Sequence, residues 1–253
     1  MEAHRQFSET YRSLVERFVR PLRPEDGVSE PVLRAGERRL GFRLPLILRA
    51  FYLLAGNLKR INRVQERLLP PENPNRIPRT FTELTVVGGG LAVYIENQGG
   101  CVWGIECSSL DDRDPPVAIA LDIDQPIWEP FHDRLSGFLV AMFYHQAAHC
   151  GLRWGAVAKA NASLVEQVRR NWPVEARFGN AYIPSDREAE EATPEFFGSG
   201  GQLLSFRNEN LWVSTKTQED REAVRRQLGI SWDSRFPEDF PPTNSTLVDG
   251  WED

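Results

Sequence analysis

The chain has 253 residues, a net charge of −6, and 41% hydrophobic and 26% charged residues, which is typical of a globular protein of one or two domains. Its N-terminal stretch lacks the apolar core of a secretory signal, and its longest apolar stretches are far shorter than the ~20 residues needed to cross a bilayer. Three cysteines, Cys101, Cys107 and Cys150, do not form a disulfide framework pattern. We therefore expect a cytoplasmic protein with no membrane partner.

Helical spacing of apolar residues dominates the first 57 positions. The pattern predicts one helix from Phe7 to about Val19, a second over residues 29–40 and a third over residues 45–56. Pro21 is expected to end the first helix, and Gly41 the second, because proline cannot continue a helix and glycine tolerates the left-handed end position.

Short strands follow a proline-rich loop at residues 70–79. Residues 81–87, 91–96, 101–106 and 117–123 are rich in Val, Ile and aromatic side chains and are separated by glycine clusters. Helical spacing resumes from residue 135 to about residue 149. Consecutive strands with helices grouped outside them predict an α+β fold, with a mixed, mainly antiparallel sheet of about four to six strands flanked by helices.

Three segments follow from this pattern. Residues 1–151 form a core with an N-terminal helix, and residues 152–236 form an appended α+β subdomain. The subdomain is predicted as an α-β-β-α extension: a helix over 161–170, strands over 202–206 and 211–215, and a helix over 219–228. Residues 237–253 carry three prolines and an acidic end, which predicts an extended acidic tail.

Several residue patterns that suggest catalysis or cofactor binding are better explained by a structural role of the residues. The run Gly88-Gly89-Gly90 lacks the Lys-Ser/Thr of a phosphate loop and predicts a hairpin turn. His145 and His149 have the i, i+4 spacing of a metal pair, but the metalloprotease glutamate and a third ligand are missing from the surrounding sequence. We predict no catalytic residue, no metal site and no cofactor, and we expect replacement of both histidines to leave function intact.

Four sequence elements carry a family resemblance. The first is a stretch from Glu37 to Asn57 with an acidic residue, Leu-Gly, Leu-Pro, an aromatic pair and Gly-Asn. The others are Glu-Asn-Gln followed by Trp-Gly-Ile over residues 96–105, Asp-Pro-x-Val over residues 114–117, and Leu-Ser-x-Phe-Leu over residues 135–139. In this order they resemble the SUKH superfamily, also called the Smi/Knr-type domain, and cover about residues 29–150. The residues of the signature are Glu37, Leu40, Gly41, Leu44, Pro45, Phe51, Tyr52, Gly56, Glu96, Asn97, Gln98, Trp103 and Gly104.

The resemblance implies a SUKH-like fold and a non-enzymatic role. Members of this superfamily are mostly bacterial immunity proteins, which neutralise protein toxins of contact-dependent or polymorphic toxin systems. Other members are scaffold proteins with several partners. A regulatory scaffold is therefore the alternative function, and a metal-dependent hydrolase that uses His145, His149 and nearby acids is the third.

Charge is distributed unevenly along the chain. Residues 1–79 carry a net charge of +7, whereas residues 106–133 carry eight acids against one arginine, a net of −7. An acidic protein is a poor ligand for nucleic acid, because phosphate binding needs local positive charge. We expect the acidic segment to contact a protein toxin instead, for example a basic nuclease. The predicted contact residues are Asp111, Asp112, Asp114, Asp122 and Asp124.

Overall fold

A computed structural model describes residues 2–64, 66–72, 81–178 and 194–233. The chain divides into two compact units. The first unit is Met1–Ser13 with Leu22–Met142, and the second is Leu14–Pro21 with Phe143–Asp253. The predicted tail, residues 237–253, and most of the predicted loop at 70–79 lie outside the described residues.

The helices of the first unit are the N-terminal part of α1 (Glu2–Phe18), then α2 (Glu30–Leu40), α3 (Leu46–Ala55), the short α4 (Lys59–Asn62) and the start of α5 (Leu135–Gln146). Four of these helices were predicted from the sequence, and the short α4 was not. Gly41 ends α2 with φ of 84°, a left-handed conformation that glycine adopts without steric cost.

A six-stranded sheet completes the first unit. Its strands are β1 (Glu66–Leu68), β2 (Thr85–Val87), β3 (Gly90–Glu96), β4 (Val102–Glu106), β5 (Val117–Ala120) and β6 (Glu129–His132). The order is β1-β3-β4-β5-β6, and β2 also pairs with β3. The predicted hairpin turn lies between β2 and β3, where Gly88 and Gly89 both have positive φ and connect the paired residues Val87 and Gly90.

The second unit contains a five-stranded sheet and two helices among its described residues. The elements are β7 (Trp154–Lys159), α6 (Ala162–Asn171), β8 (Val174–Arg177), β9 (Glu195–Ser199), β10 (Gln202–Arg207), β11 (Asn210–Thr215) and α7 (Gln218–Leu228). The strand order is β7-β11-β10-β9-β8. Its core packs Trp172 and Phe197 with aliphatic side chains of α6, α7 and the sheet.

The α+β class is confirmed. The sequence allowed for a mixed sheet, but every strand pair in the described residues is antiparallel. The predicted α-β-β-α extension is too simple, since β7, β8 and β9 join the predicted hairpin of β10 and β11. These three strands have weak sequence signals, because β7 is rich in Gly and Ala and β8 has only four residues.

Two internal contacts explain how residues distant in sequence complete the second unit. Arg17 of α1 makes two hydrogen bonds to the Glu175 carboxylate, at 2.8 and 2.6 Å. Tyr144, near the end of α5, packs its ring against Phe178 and Phe196. The unit boundary at Met142 falls inside α5, nine residues before the domain boundary predicted after residue 151.

Candidate binding surface

The helix-pair part of the signature lies inside the first unit. The buried Glu37 carboxylate accepts hydrogen bonds from the Leu44 backbone N–H at 3.1 Å and from Arg49 Nε at 3.2 Å, so it fixes the start of α3 against α2. Phe51 and Tyr52 are fully buried, and Tyr52 donates its hydroxyl hydrogen bond to the Leu69 carbonyl.

The remaining residues of the helix pair have positional roles. Leu44 is buried, Leu40 is half-buried, and Pro45 lies at the N-cap of α3. Gly56 follows α3, and a side chain at this position would come within 2.8 Å of Tyr52 and of Val28. These residues set the angle and spacing of the two helices.

The Glu-Asn-Gln element forms the turn between β3 and β4. Glu96 Oε2 accepts hydrogen bonds from the backbone N–H groups of Gln98 at 2.8 Å and Gly100 at 3.0 Å. The Asn97 N–H donates to Glu66 Oε2 at 3.3 Å. The role of this element is therefore to stabilise a turn, in which a side-chain carboxylate accepts hydrogen bonds from backbone N–H groups.

Trp103 and Gly104 are adjacent in β4 and face opposite sides of the sheet. Trp103 is fully buried and packs edge-on or tilted against Phe131 and Phe138 on the helix side. Gly104 faces the other way, where a side chain would come within 2.7 Å of Trp128 Cη2. The second face of the sheet is thus covered by a residue from the loop between β5 and β6.

Trp128 fixes that loop, which we call the 121–128 loop, across the sheet. The indole Nε1 donates to the Val87 carbonyl at 3.0 Å. Its ring lies over Gly90 and Gly104, and a side chain at Gly90 would come within 2.5 Å of Nε1. Because both positions are glycine, the indole can lie close to the backbone of β3 and β4. Trp128 was not among the residues predicted from the sequence; the available signal was its size, since tryptophan side chains are on average largely buried.

The acidic residues of the 121–128 loop form a turn at its start. Asp122 Oδ1 accepts hydrogen bonds from the backbone N–H groups of Asp124 at 2.9 Å and Gln125 at 3.1 Å. Both aspartates are exposed. The Asp122 carboxylate is thus engaged with backbone amides in an Asx-type turn, and this arrangement presents the Asp124 side chain to solvent.

A second acidic loop, residues 107–116, precedes β5. Its backbone is attached to two helices: the Arg113 carbonyl accepts from the Ile47 N–H of α3 at 3.0 Å, and the Pro115 carbonyl accepts from the Leu135 N–H of α5 at 2.7 Å. The start of a helix has N–H groups without intrahelical partners. The 107–116 loop supplies acceptors to two such starts and is held by them.

The three aspartates of the 107–116 loop differ in role. Asp114 is half-buried and accepts hydrogen bonds from the Ser136 N–H at 2.8 Å and from the Ser136 hydroxyl at 2.6 Å, so it caps α5. Asp111 and Asp112 are exposed. The structure therefore assigns a folding role to Asp114 and leaves Asp111 and Asp112 as the solvent-facing charges of this loop.

The two loops lie at opposite ends of β5. Residues 107–116 lead into Val117 and residues 121–128 follow Ala120, so the length of a four-residue strand, about 10 Å, lies between them. Five predicted contact residues are thus divided into two groups on the first unit. Together with exposed Glu106, Glu129 and Asp133, the two loops form what we call the acidic surface.

The two histidines are buried in the second unit. Residues 147–151 continue α5 as a π-helical turn, and the rings of His145 and His149 lie 4.6 Å apart. His149 Nδ1 donates to the His145 carbonyl at 2.8 Å, since a carbonyl can only accept. The His149 ring also packs edge-on against Trp212 at 5.1 Å.

Burial controls the protonation of this pair. It lowers the pKa of His149 to about 4, assisted by the charge of Arg207 and opposed by the hydrogen bond to the His145 carbonyl. Burial also lowers the pKa of His145 well below its usual value, with further contributions from His149 and Arg207. Both side chains are therefore neutral near pH 7 in the folded protein.

The described residues contain no group of three or more His, Cys, Asp or Glu side chains that could hold a metal ion. Burial raises the pKa of the Cys101 thiol to about 12, assisted by Glu66 and Glu96, which disfavours the reactive thiolate. The side chain of Cys150 lies outside the described part of the structure. In the same described part, no helix is long and apolar enough to span a bilayer.

Comparisons with protein-family models, with curated proteins and with solved structures found no match for this chain. The relation to the SUKH superfamily thus depends on the four sequence elements and stays a prediction.

Replacement of Gly90 by Ala tests the position of Trp128. The added methyl group would come within 2.3 Å of Trp128 Cε2 and 2.5 Å of Nε1, so we expect a loss of about 2 kcal/mol in the free energy of unfolding, typical of overpacking. Gly100→Ala is the control, because its methyl group would meet Glu96 Oε2 at an ordinary 3.5 Å. Urea denaturation measures both; equal stability of the two variants would contradict this placement of Trp128.

The buried histidines predict a pH dependence of stability. An unfolded histidine takes up a proton near pH 6.5, whereas folded His149 does so only near pH 4. The unfolded state therefore binds more protons between these values, and stability falls as the pH drops from 6.5 to 4, by roughly 3 kcal/mol for His149. Above pH 6.5 this contribution is constant.

The double variant His145→Gln, His149→Gln tests this pH dependence of the unfolding free energy. The slope of unfolding free energy against pH should flatten between pH 6.5 and 4 in the double variant, whatever its absolute stability. A slope identical to that of the unaltered protein would show that the histidines are not held neutral by burial.

Proposed function

We propose that this protein is a non-enzymatic immunity protein that binds and neutralises a cognate toxin of a bacterial polymorphic or contact-dependent toxin system. The observation that carries the proposal is that, within the first unit, the signature residues and the exposed acidic residues have different roles. The signature residues are used to build helices, turns and sheet packing, and the acidic surface is left exposed on two loops with fixed backbones.

The charge of this surface supports a basic protein partner. Exposed Asp111, Asp112 and Asp124 carry negative charge without a hydrogen-bonded cation in the described contacts. Such a field accelerates the encounter with a positively charged protein and disfavours nucleic acid. A nuclease domain has a positively charged substrate groove, so an acidic surface placed over it would exclude the substrate by charge and by volume.

Fixed loops favour affinity as well as rate. The Arg113 and Pro115 carbonyls are bonded to helix starts, and Trp128 is bonded to the Val87 carbonyl. A surface that is already ordered loses less conformational entropy on binding than a flexible one. The proposed encounter takes place in the cytoplasm, with one copy of this protein blocking one toxin domain.

Co-expression with each neighbouring open reading frame tests the proposal. We expect one product to be lethal alone, to be harmless together with this protein, and to co-purify with it. If no neighbouring product is both toxic and bound, the immunity proposal is wrong.

The double variant Asp111→Asn, Asp112→Asn tests how much the charge of the 107–116 loop contributes to association, because asparagine has the shape of aspartate without its charge. With the purified toxin domain, we expect the association rate to fall several-fold at low salt and its salt dependence to flatten, because exposed charges act mainly on association. Glu166→Gln with Glu209→Gln removes the same charge from exposed positions of the second unit and serves as the control.

The measurement is stopped-flow or surface-based association kinetics over a range of salt concentrations. Equal rates for the two double variants would show that the 107–116 loop does not steer the partner. Asp114 is kept in both, since its removal would weaken the cap of α5.

A further inference from the structure

One apolar side chain on the acidic surface is unusually exposed. Ile127 is 79% accessible, the highest value among the large apolar side chains that the structure describes as exposed. Leu121 of the same loop is 46% exposed and Val86 of β2 is 43% exposed. A single exposed aliphatic residue is common in proteins, so the surroundings of Ile127 decide its meaning.

The backbone on both sides of Ile127 is fixed. Pro126 lies against the β2–β3 turn, where a side chain at Gly88 would come within 2.5 Å of its carbonyl oxygen. Trp128 is held by its bond to the Val87 carbonyl. Ile127 therefore faces solvent because its two neighbours are anchored to the sheet, and the chain cannot turn it inward without releasing Trp128.

Negative charge surrounds this apolar side chain along the loop. Asp122 and Asp124 precede it, and Glu129 follows within two residues; all three are exposed. An ordered aliphatic side chain within a charged rim has the composition of an interface anchor, in which a few central residues supply most of the binding energy and the rim excludes water.

From this arrangement we infer that Ile127 is the apolar anchor of the toxin interface and enters an apolar pocket rimmed by Lys and Arg side chains on the partner. This inference rests on the proposed immunity function. It assigns different tasks to the two kinds of side chain: the exposed aspartates of both loops guide association, and Ile127 slows dissociation.

The variant Ile127→Ala separates these tasks. With the purified toxin domain found by co-expression, we expect dissociation to become about tenfold faster or more, with the association rate and its salt dependence unchanged. Val174→Ala is the control, since Val174 of β8 is 40% exposed and lies in the second unit; it should bind as the unaltered protein does. Urea denaturation should show that both variants keep their stability.

The outcomes distinguish the two proposals. If the unaltered protein binds no neighbouring product, the immunity function fails and the anchor fails with it. If the unaltered protein binds but Ile127→Ala dissociates no faster, only the anchor is wrong. If sedimentation shows that the free protein self-associates, and Ile127→Asp abolishes this without altering toxin binding, the surface is a contact between copies of this chain and the anchor is overturned.

Discussion

The close approach of the Trp128 indole to two glycines organises the candidate binding surface of the first unit. Gly90 of β3 and Gly104 of β4 leave room for the ring, and the indole N–H reaches the Val87 carbonyl. A loop of eight residues is thereby drawn across a sheet face that bears little side-chain volume. The contact acts together with that of Pro126 against the β2–β3 turn at Gly88, and the two hold the backbone on both sides of Ile127 in place.

A second constraint acts through helix starts. The 107–116 loop satisfies backbone donors at the beginnings of α3 and α5, and Asp114 adds a charged cap. Two solvent-facing aspartates are thus attached to parts of the fold that also form the hydrophobic core. This coupling of surface loops to core helices orders the 107–116 loop through contacts within the fold itself.

Local sequence patterns predicted the features that depend only on neighbouring residues, namely helix ends and tight turns. The ends of α2 at Gly41 and of α7 at Gly229 follow from the left-handed conformation that glycine tolerates, and the Gly88-Gly89 turn follows from the same property. Strands β1 and β6 escaped prediction, since β1 has three residues and β6 contains Pro130, which cannot donate a ladder hydrogen bond.

Long-range contacts could not be predicted from the sequence. Asp111, Asp112 and Asp114 are alike in sequence, yet Asp114 caps a helix that begins more than twenty residues later. Gly104 matched a strand signature, but a side chain there would collide with the Leu91 carbonyl of β3 and with Trp128 of the 121–128 loop. The acidic residues of the candidate surface were therefore predicted from the sequence. Its division into two loops, the contacts that anchor those loops and the exposed Ile127 were found only in the structure.

Amide hydrogen exchange of the protein with and without the proposed toxin tests the central claim most directly, because it reports on backbone amides throughout the chain. The account predicts that protection on binding appears in residues 107–112 and 121–128 of the first unit, with little change in α7 and in the β8–β9 edge of the second unit. Protection confined to the second unit, with the two acidic loops unchanged, would contradict it.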